Sequence, residues 1–254
     1  MSNEFSLEGR GAVVTGAAMG IGKVVALRLA VAGAAVVCAD LSEAAAQLVA
    51  DEIIAAGGRA KGVGVNVAKK DEVIAAAGRA DEFLGGTDIL VNCAGITFRS
   101  VAEDFPEAEW DRIMAVNLKG TFLCCQAFGK SMIAKGAGKI VNFASIGGMV
   151  GYPDTIAYLA SKGGVVQVTR GLGVEWAKYG INVNAIAPSV VDTPMQEKLR
   201  LQDPAKYDFL VSGMAIKRAV HPNDIASAVL FLSSDGANFI TGHILPVDGG
   251  YLAR

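Results

Sequence analysis

The sequence predicts an α/β fold built on a doubly wound parallel sheet of about seven strands, with helices on both faces. Three observations predict it. Short β-branched runs alternate with helix-length segments along the 254 residues, the rhythm of strands joined by crossover helices. The runs VVTG, VVCA and ILVN are apolar almost throughout, as strands covered on both faces must be. The glycine-rich TGAAMGIG at 15–22 links the first run to the first helix.

The elements follow in order. GAVVTG (11–16) reads as a strand, and the helix after it stops at Gly33. AAVVCAD (34–40) is the second strand. Ser42 caps a helix that ends on Gly57 and Gly58. KGVGVNV (61–67) is a strand, 69–84 a helix, and DILVNCAG (88–95) a strand. The second half predicts a long helix over 107–134, a strand at 138–145, a helix over 155–178 and a strand at 180–189. A helix over 222–234 and the strand HILPVDGG (243–250) complete the chain. The segment 190–221 breaks the rhythm. It is long and charged and carries Pro194, Met195 and Pro204, which predicts a lid or substrate loop. No linker or shift in composition divides the chain, so 1–254 is expected to be one domain.

Composition excludes several classes. The chain is 52% hydrophobic and 19% charged, with a formal net charge of −2. It has no basic block, so nucleic acid is not an expected partner. MSNEFSLEGR lacks an apolar run with a basic flank, and every apolar stretch is strand-length. No signal peptide and no membrane partner are expected, and a cytoplasmic location follows. Cys38, Cys93, Cys124 and Cys125 form no CxxC pair, and His221 and His243 lie far apart. No metal site is expected, and the cysteines read as reduced packing residues.

At the nucleotide end, Gly16, Gly20 and Gly22 let the backbone turn tightly and approach a pyrophosphate, with Met19 and Ile21 between them. The helix behind supplies free N–H groups and partial positive charge. Asp40 ends the second strand about 20 residues on, where a carboxylate hydrogen-bonds the adenine ribose. Its charge repels a 2′-phosphate, and neither Ala39 nor Leu41 beside it is basic. NAD is therefore the expected cofactor, on a Rossmann-like sheet.

At the chemical end, Tyr158 and Lys162 in AYLASKGG stand one helical turn apart on one face. Moving a proton on an alcohol oxygen at neutral pH asks a phenol to fall about three pH units from ~10. That takes about 4 kcal/mol. An ammonium about 4 Å away supplies roughly that much at an effective dielectric of about 20. A lysine one turn after a tyrosine can thus tune a general acid/base.

TGAAMGIG, NCAG (92–95), Asn117, Ser145, YLASK (158–162) and the P-S-x-V-x-T stretch at 188–193 together resemble the short-chain dehydrogenase/reductases. The resemblance covers essentially the whole chain, in the family's order and spacing. It implies Tyr158 as proton donor and acceptor, with Lys162 lowering its pKa and binding the nicotinamide ribose. It implies Ser145 on the substrate oxygen and Asn117 holding a water in the proton path. Pro188, Val191 and Thr193 resemble the segment on the carboxamide face of the nicotinamide. Asn66 and Val67, with Leu41, fall around the adenosine, and Asn92, Ala94 and Gly95 along the cofactor. Asn66 stands where the family often has Asp, Cys93 replaces a frequent Asn, and Ser189 replaces a frequent Gly. A homotetramer is implied by the resemblance alone.

The substrate pocket is expected above the nicotinamide, with lining from Ile96 to Phe98, Ile146 to Met149, Tyr152, Val190, Met195 and Met214. Ser145, Ile146, Tyr152, Tyr158 and Met195 are the candidate substrate contacts. The lining is mostly apolar, which favours a ketone or secondary alcohol with an apolar substituent over a polyol. Arg99, Lys198 and Arg200 are candidate anion contacts, with a solvated face the favoured reading for each. The expected activity is NAD-dependent interconversion of a secondary alcohol and a ketone. The near alternative is an NADPH-dependent 3-oxoacyl-carrier-protein reductase, similar around NCAGIT and NVNAIAP. An epimerase and a non-enzymatic nucleotide-binding scaffold are the alternatives of other classes.

Overall fold

The computed structural model describes residues 4–253, apart from the side chains of residues 195, 196 and 198. Met195 and Lys198 as contacts therefore lie outside the described residues. Seven parallel strands form one sheet: β1 (Gly11–Thr15), β2 (Ala35–Asp40), β3 (Ala60–Gly64), β4 (Ile89–Asn92), β5 (Gly138–Phe143), β6 (Ile181–Pro188) and β7 (Ile244–Val247). Their order is β3-β2-β1-β4-β5-β6-β7, so the winding reverses between β1 and β4. A ligand crevice opens at such a reversal, outside the carboxyl ends of the strands.

Alternate side chains of each strand serve opposite faces. Val14, Val36, Val91, Val141 and Ile186 pack on one face under α1 (Gly20–Val31), α2 (Glu43–Ala55) and α9 (Pro222–Ser233). Val13, Val37, Leu90, Ile140 and Val183 pack on the other, under α3 (Lys70–Leu84), α5 (Thr121–Lys135) and α6 (Ile156–Glu175). All of these strand residues except Leu90 are β-branched, and every one is at most 1% exposed. Each such residue contributes about 1.5–3 kcal/mol on burial.

Local chemistry sets the ends. Ser42 Oγ accepts from the Ala45 N–H at 3.3 Å and starts α2. His221 and Asp224 form a reciprocal cap at the start of α9, where Pro222 sits in the first turn. Gly33, at φ +102°, turns the chain from α1 into β2.

Two expectations need correction. The single helix over 107–134 is three pieces: α4 (Glu107–Ile113), a π-helical turn over Met114–Gly120, and α5. The widened turn brings Asn117 fully inside, and Thr121 Oγ1 donates to the Asn117 carbonyl within it at 2.7 Å. The segment 190–221 is not an open loop. It folds into α7 (Pro194–Gln202) and α8 (Pro204–Ser212). Each proline opens a helix, where the missing N–H costs nothing. Asp203 caps α8 by accepting from Lys206 N at 3.0 Å. Lys206 pairs in turn with Asp154, which ties α8 to the loop ahead of α6.

Among the described residues, no helix is long and apolar enough to cross a membrane. The four cysteines are free thiols.

Candidate active site

The glycine loop runs from the end of β1 into α1. Gly16 has φ +68°, and a Cβ there would sit 2.8 Å from Ala94 Cα, so the ends of β1 and β4 meet only through glycine. A Cβ on Gly22 would fall 2.1 Å from the Gly16 carbonyl oxygen. Gly20, at φ +55°, faces open space, with Thr193 Cγ2 nearest at 4.0 Å. Met19 occupies the N-cap without a side-chain cap, and the first turn of α1 carries no acid. The N–H groups there are left for an anion. Ile21 is half-buried and Met19 exposed. These features fit a dinucleotide pyrophosphate.

Asp40 ends β2 beside this loop. Its Oδ2 accepts from Ala18 N at 3.0 Å, so the carboxylate is fixed to the loop itself. Leu41 next to it is 73% exposed. Asn66 Oδ1 accepts from Ala68 N at 3.0 Å and stabilises the turn as an aspartate would. Val67 is buried against Gly120, where a Cβ would come within 2.9 Å of Val67 Cγ2. Ala94 N donates to Thr15 Oγ1 at 3.2 Å. A Cβ on Gly95 would lie 3.5 Å from Asn117 Oδ1 and 3.6 Å from Lys162 Nζ. Asn92 is buried, with its amide donating to Asn142 Oδ1 at 2.9 Å; its side chain is committed inside the sheet. Pro188 ends β6, Val191 is buried and bridges to Val220, and Thr193 Oγ1 donates to the Val191 carbonyl at 3.3 Å.

The chemical residues converge at the ends of β4, β5 and β6. Ser145 follows β5, and its Oγ accepts from Gly147 N at 3.1 Å. Lys162 is 5% exposed, and its Nζ donates to the Phe143 carbonyl at 2.6 Å. It stands 5.7 Å from the centre of the Tyr158 ring. Asn117 pins the strand that leaves β4: Oδ1 accepts from Ile96 N at 2.8 Å, and Nδ2 donates to the Ile96 carbonyl at 2.9 Å. Nδ2 also donates to Ser161 Oγ at 3.1 Å, and that hydroxyl donates to the Tyr158 carbonyl at 2.8 Å. Both amide hydrogens of Asn117 are thus taken, so any water it holds must bond to an oxygen.

The electrostatics differ from the expectation at one point. The Tyr158 phenol is pushed above its ordinary value, first by burial and then by the Tyr152 phenol. A hydrogen bond from Ser145 and the charge of Arg99 oppose this. Burial pushes the Lys162 amine down to about 8. The charge expected to tune the phenol is itself costly to hold in this site, because the amine is stripped of water and bonded to a neutral carbonyl.

A cleft of about 70 Å³ opens beside Ser145 and Tyr158. Ile146, Tyr152 and Val190 line it as expected, together with Thr97. Arg99, weighed as an anion contact, lines it too, and so do Thr155, Ser189, Leu210 and Tyr251, which were not foreseen as contacts. Arg99 is therefore a cleft residue rather than part of a solvated face. Met214 is fully buried in the core, where Ser189 Oγ meets its sulfur at 2.9 Å, so it is not a lining residue. The cleft is more polar than the sequence suggested. Thr155, Tyr251 and Arg99 come from a pre-helix loop, the chain's last turn and a loop after β4, and no local pattern announces that they meet.

Comparison with known proteins agrees with this geometry. A family model described as enoyl-(acyl carrier protein) reductase matches residues 16–252. D-threitol dehydrogenase from Mycolicibacterium smegmatis is 41% identical over 251 residues, which cover 99% of this chain and 96% of that protein. NAD-dependent glycerol dehydrogenase from Listeria innocua is 39% identical over 255 residues, covering 99% and 97%. The crystal structure of a gluconate 5-dehydrogenase from Burkholderia cenocepacia in complex with NADP and tartrate has a TM-score of 0.95 at 36% identity, covering 99% of this chain and 98% of that one. With sheet order, glycine loop and the Ser145–Tyr158–Lys162 convergence in place, these relatives assign the chain to the short-chain dehydrogenase/reductases, an α/β family to which it belongs along its full length.

Proposed function

We propose that this protein is an NAD-dependent dehydrogenase that interconverts a secondary alcohol and a ketone on a polyhydroxylated carbon chain. The observation that carries the reading is the meeting of Ser145 and Tyr158 in one cleft, with Lys162 a turn below, beside the glycine loop at the sheet reversal. The hydroxyls and the guanidinium in an otherwise mixed lining, and the polyol and sugar-acid relatives, favour a hydroxylated substrate over the apolar one first expected.

When bound, NAD supplies the acceptor for the hydride that leaves the carbinol carbon. The chain supplies the proton chemistry. Ser145 Oγ holds the substrate oxygen, and Tyr158 Oη takes its proton as the carbonyl forms. In reduction Tyr158 returns that proton. The phenol needs about 4 kcal/mol of anion stabilisation to do this near neutrality. Lys162 and the positive ring of the oxidised nicotinamide are the charges at hand. Asn117 holds Ile96 and, through Ser161, the turn bearing Tyr158, which keeps base and cofactor wall at fixed spacing.

Asp40, fixed to the loop at Ala18, supports NAD through the ribose hydroxyls, and no cation flanks it to accept a 2′-phosphate. The carrier-protein reductase reading shares an acyl-carrier substrate with the family model's description, which names reduction of a carbon–carbon double bond rather than of a ketone. It requires NADPH, against Asp40. An exposed apolar groove along Met114, Phe122 and Val168 supports the expected homotetramer.

Turnover of NAD and NADP against alditols, glycerol, apolar secondary alcohols and a 3-hydroxyacyl thioester tests the reading. NAD reduction by an alditol is expected. Asp40→Ala with Leu41→Arg is expected to shift the kcat/KM ratio toward NADP by at least about 10-fold. NADP-only turnover of the thioester by the natural chain would overturn both the cofactor and the substrate class.

A further inference from the structure

The cleft carries a cation with no counter-charge. Arg99 is the sole charged group among the described residues that line it, and no described carboxylate lies within ion-pair distance of its guanidinium. The acid nearest the cleft in sequence, Asp154, is already engaged by Lys206. Arg99 donates no hydrogen bond to any described residue, although it acts electrostatically on both Tyr152 and Tyr158. It stands close to the reacting end of the cleft.

A second, independent observation points to a ligand at the same place. Thr155 lines this cleft, is only 2% exposed, and its Oγ1 is buried with no hydrogen-bond partner. A buried hydroxyl left unmatched costs about 1–3 kcal/mol, and such groups are uncommon in folded proteins. A planar guanidinium takes a carboxylate through two parallel N–H···O bonds. A phosphate dianion in a cleft holding a single cation would stay half-neutralised, which favours the monoanion.

We propose that the substrate is a polyhydroxy carboxylic acid, its carboxylate paired with Arg99 and a chain hydroxyl bonded to Thr155, while the reacting hydroxyl lies on Ser145 and Tyr158. This rests on the dehydrogenase reading and narrows it from neutral polyols to sugar acids. Arg99 then sets both affinity and which carbon reaches Tyr158, since the carboxylate fixes one end of the chain.

Two measurements test it. Initial rates are taken with matched aldonate and alditol pairs, D-gluconate with D-glucitol first, and with D-glucitol 6-phosphate. The acid is expected to exceed the alditol in kcat/KM by about 10- to 100-fold, the range of a charge-assisted bond. Arg99→Gln is expected to collapse that ratio toward 1 through KM for the acid, and Arg99→Lys to restore part of it. Separately, D-gluconate is titrated calorimetrically into the enzyme–NADH complex of the natural chain and of Arg99→Gln, with binding expected only in the first. Equal turnover of acid and alditol, with no gluconate binding, would overturn the inference and leave the dehydrogenase reading intact. Acid preference that survives Arg99→Gln would remove Arg99 from it. Preference for the phosphate ester would replace the carboxylate with a phosphate. No turnover of any alcohol would overturn the dehydrogenase reading, and the titration would still decide the role of Arg99.

Discussion

Replacing Lys162 with methionine separates what the amine does for the fold from what it does for the chemistry. Lys162 is 5% exposed, and burial pushes its amine from 10.5 down to about 8. Between those two values the unfolded chain binds more protons than the folded one, so stability rises with pH across that window. Below about pH 8 the amine is charged in both states, and its burial costs the fold about 3.5 kcal/mol, from the fall of 10.5 to 8 at about 1.4 kcal/mol per pH unit. Methionine has similar bulk and no charge. It also leaves the Phe143 carbonyl, which accepts Nζ at 2.6 Å, without its partner, at about 1–3 kcal/mol. Near pH 7 the two effects roughly offset. By pH 10 most of the first has gone and the second remains. Relative to the natural chain, the variant is expected to lose about 2–3 kcal/mol between pH 7 and pH 10. Urea unfolding of both proteins at both pH values reads this difference. Lys139, also buried and pushed down to about 8, is common to both and cancels. A gap between variant and natural chain that is the same at both pH values would refute the reasoning. The variant's turnover at pH 7 is expected to fall at least about 100-fold.

Tyr158→Phe is expected to lower kcat by about 10³-fold or more while NADH binding, read by fluorescence, changes little; near-normal turnover would remove Tyr158 from the chemistry. Gly22→Ala places a Cβ 2.1 Å from the Gly16 carbonyl oxygen, so loop backbone must move. NADH affinity is expected to fall by at least about 10-fold and stability by about 1–3 kcal/mol. Natural affinity in that variant would mean that the loop does not hold the pyrophosphate.

The central strands were legible because they are buried on both faces, and a run such as GAVVT cannot serve two cores without being apolar throughout. The Tyr158–Lys162 pair was legible because helical spacing alone puts both on one face. The π turn was not. Residues 107–134 carry ordinary helical composition, and one extra residue in a single turn leaves the apolar spacing on either side intact. What widens the turn is tertiary: Gly120 against Val67, and Leu118 against Gly164, where a Cβ would come within 2.6 Å of Leu118 Cδ2. Pro194 and Pro204 were read as loop residues, yet proline at the first position of a helix is well tolerated. Tyr251 reaches the cleft by packing over Gly213, where a Cβ would lie 2.3 Å from its ring, a contact between segments 38 positions apart that periodicity does not carry. Met214 looked like a lining residue because its chemistry suits a pocket and a core equally.

The buried amides under the site act as a mechanical index. Asn92 on β4 donates to Asn142 on β5 at 2.9 Å, Asn142 donates to Thr169 on α6 at 3.0 Å, and Thr169 donates to the Val165 carbonyl at 2.8 Å. The chain of bonds runs from the strand that ends at the cofactor crevice to the helix that carries Tyr158 and Lys162. Apolar packing alone tolerates a helix sliding or rotating by a fraction of a turn, since one leucine contact replaces another at small cost. A directional bond from the buried Asn142 amide to the buried Thr169 hydroxyl does not, because a shifted helix would leave that amide hydrogen unpaired. The helix that bears Tyr158 is thereby keyed to the sheet in a single position, like a shaft held by a pin rather than by friction. A leucine core of equal volume would hold the same layers together, yet it would leave the position of Tyr158 and Lys162 relative to the ends of β4 and β5 to drift.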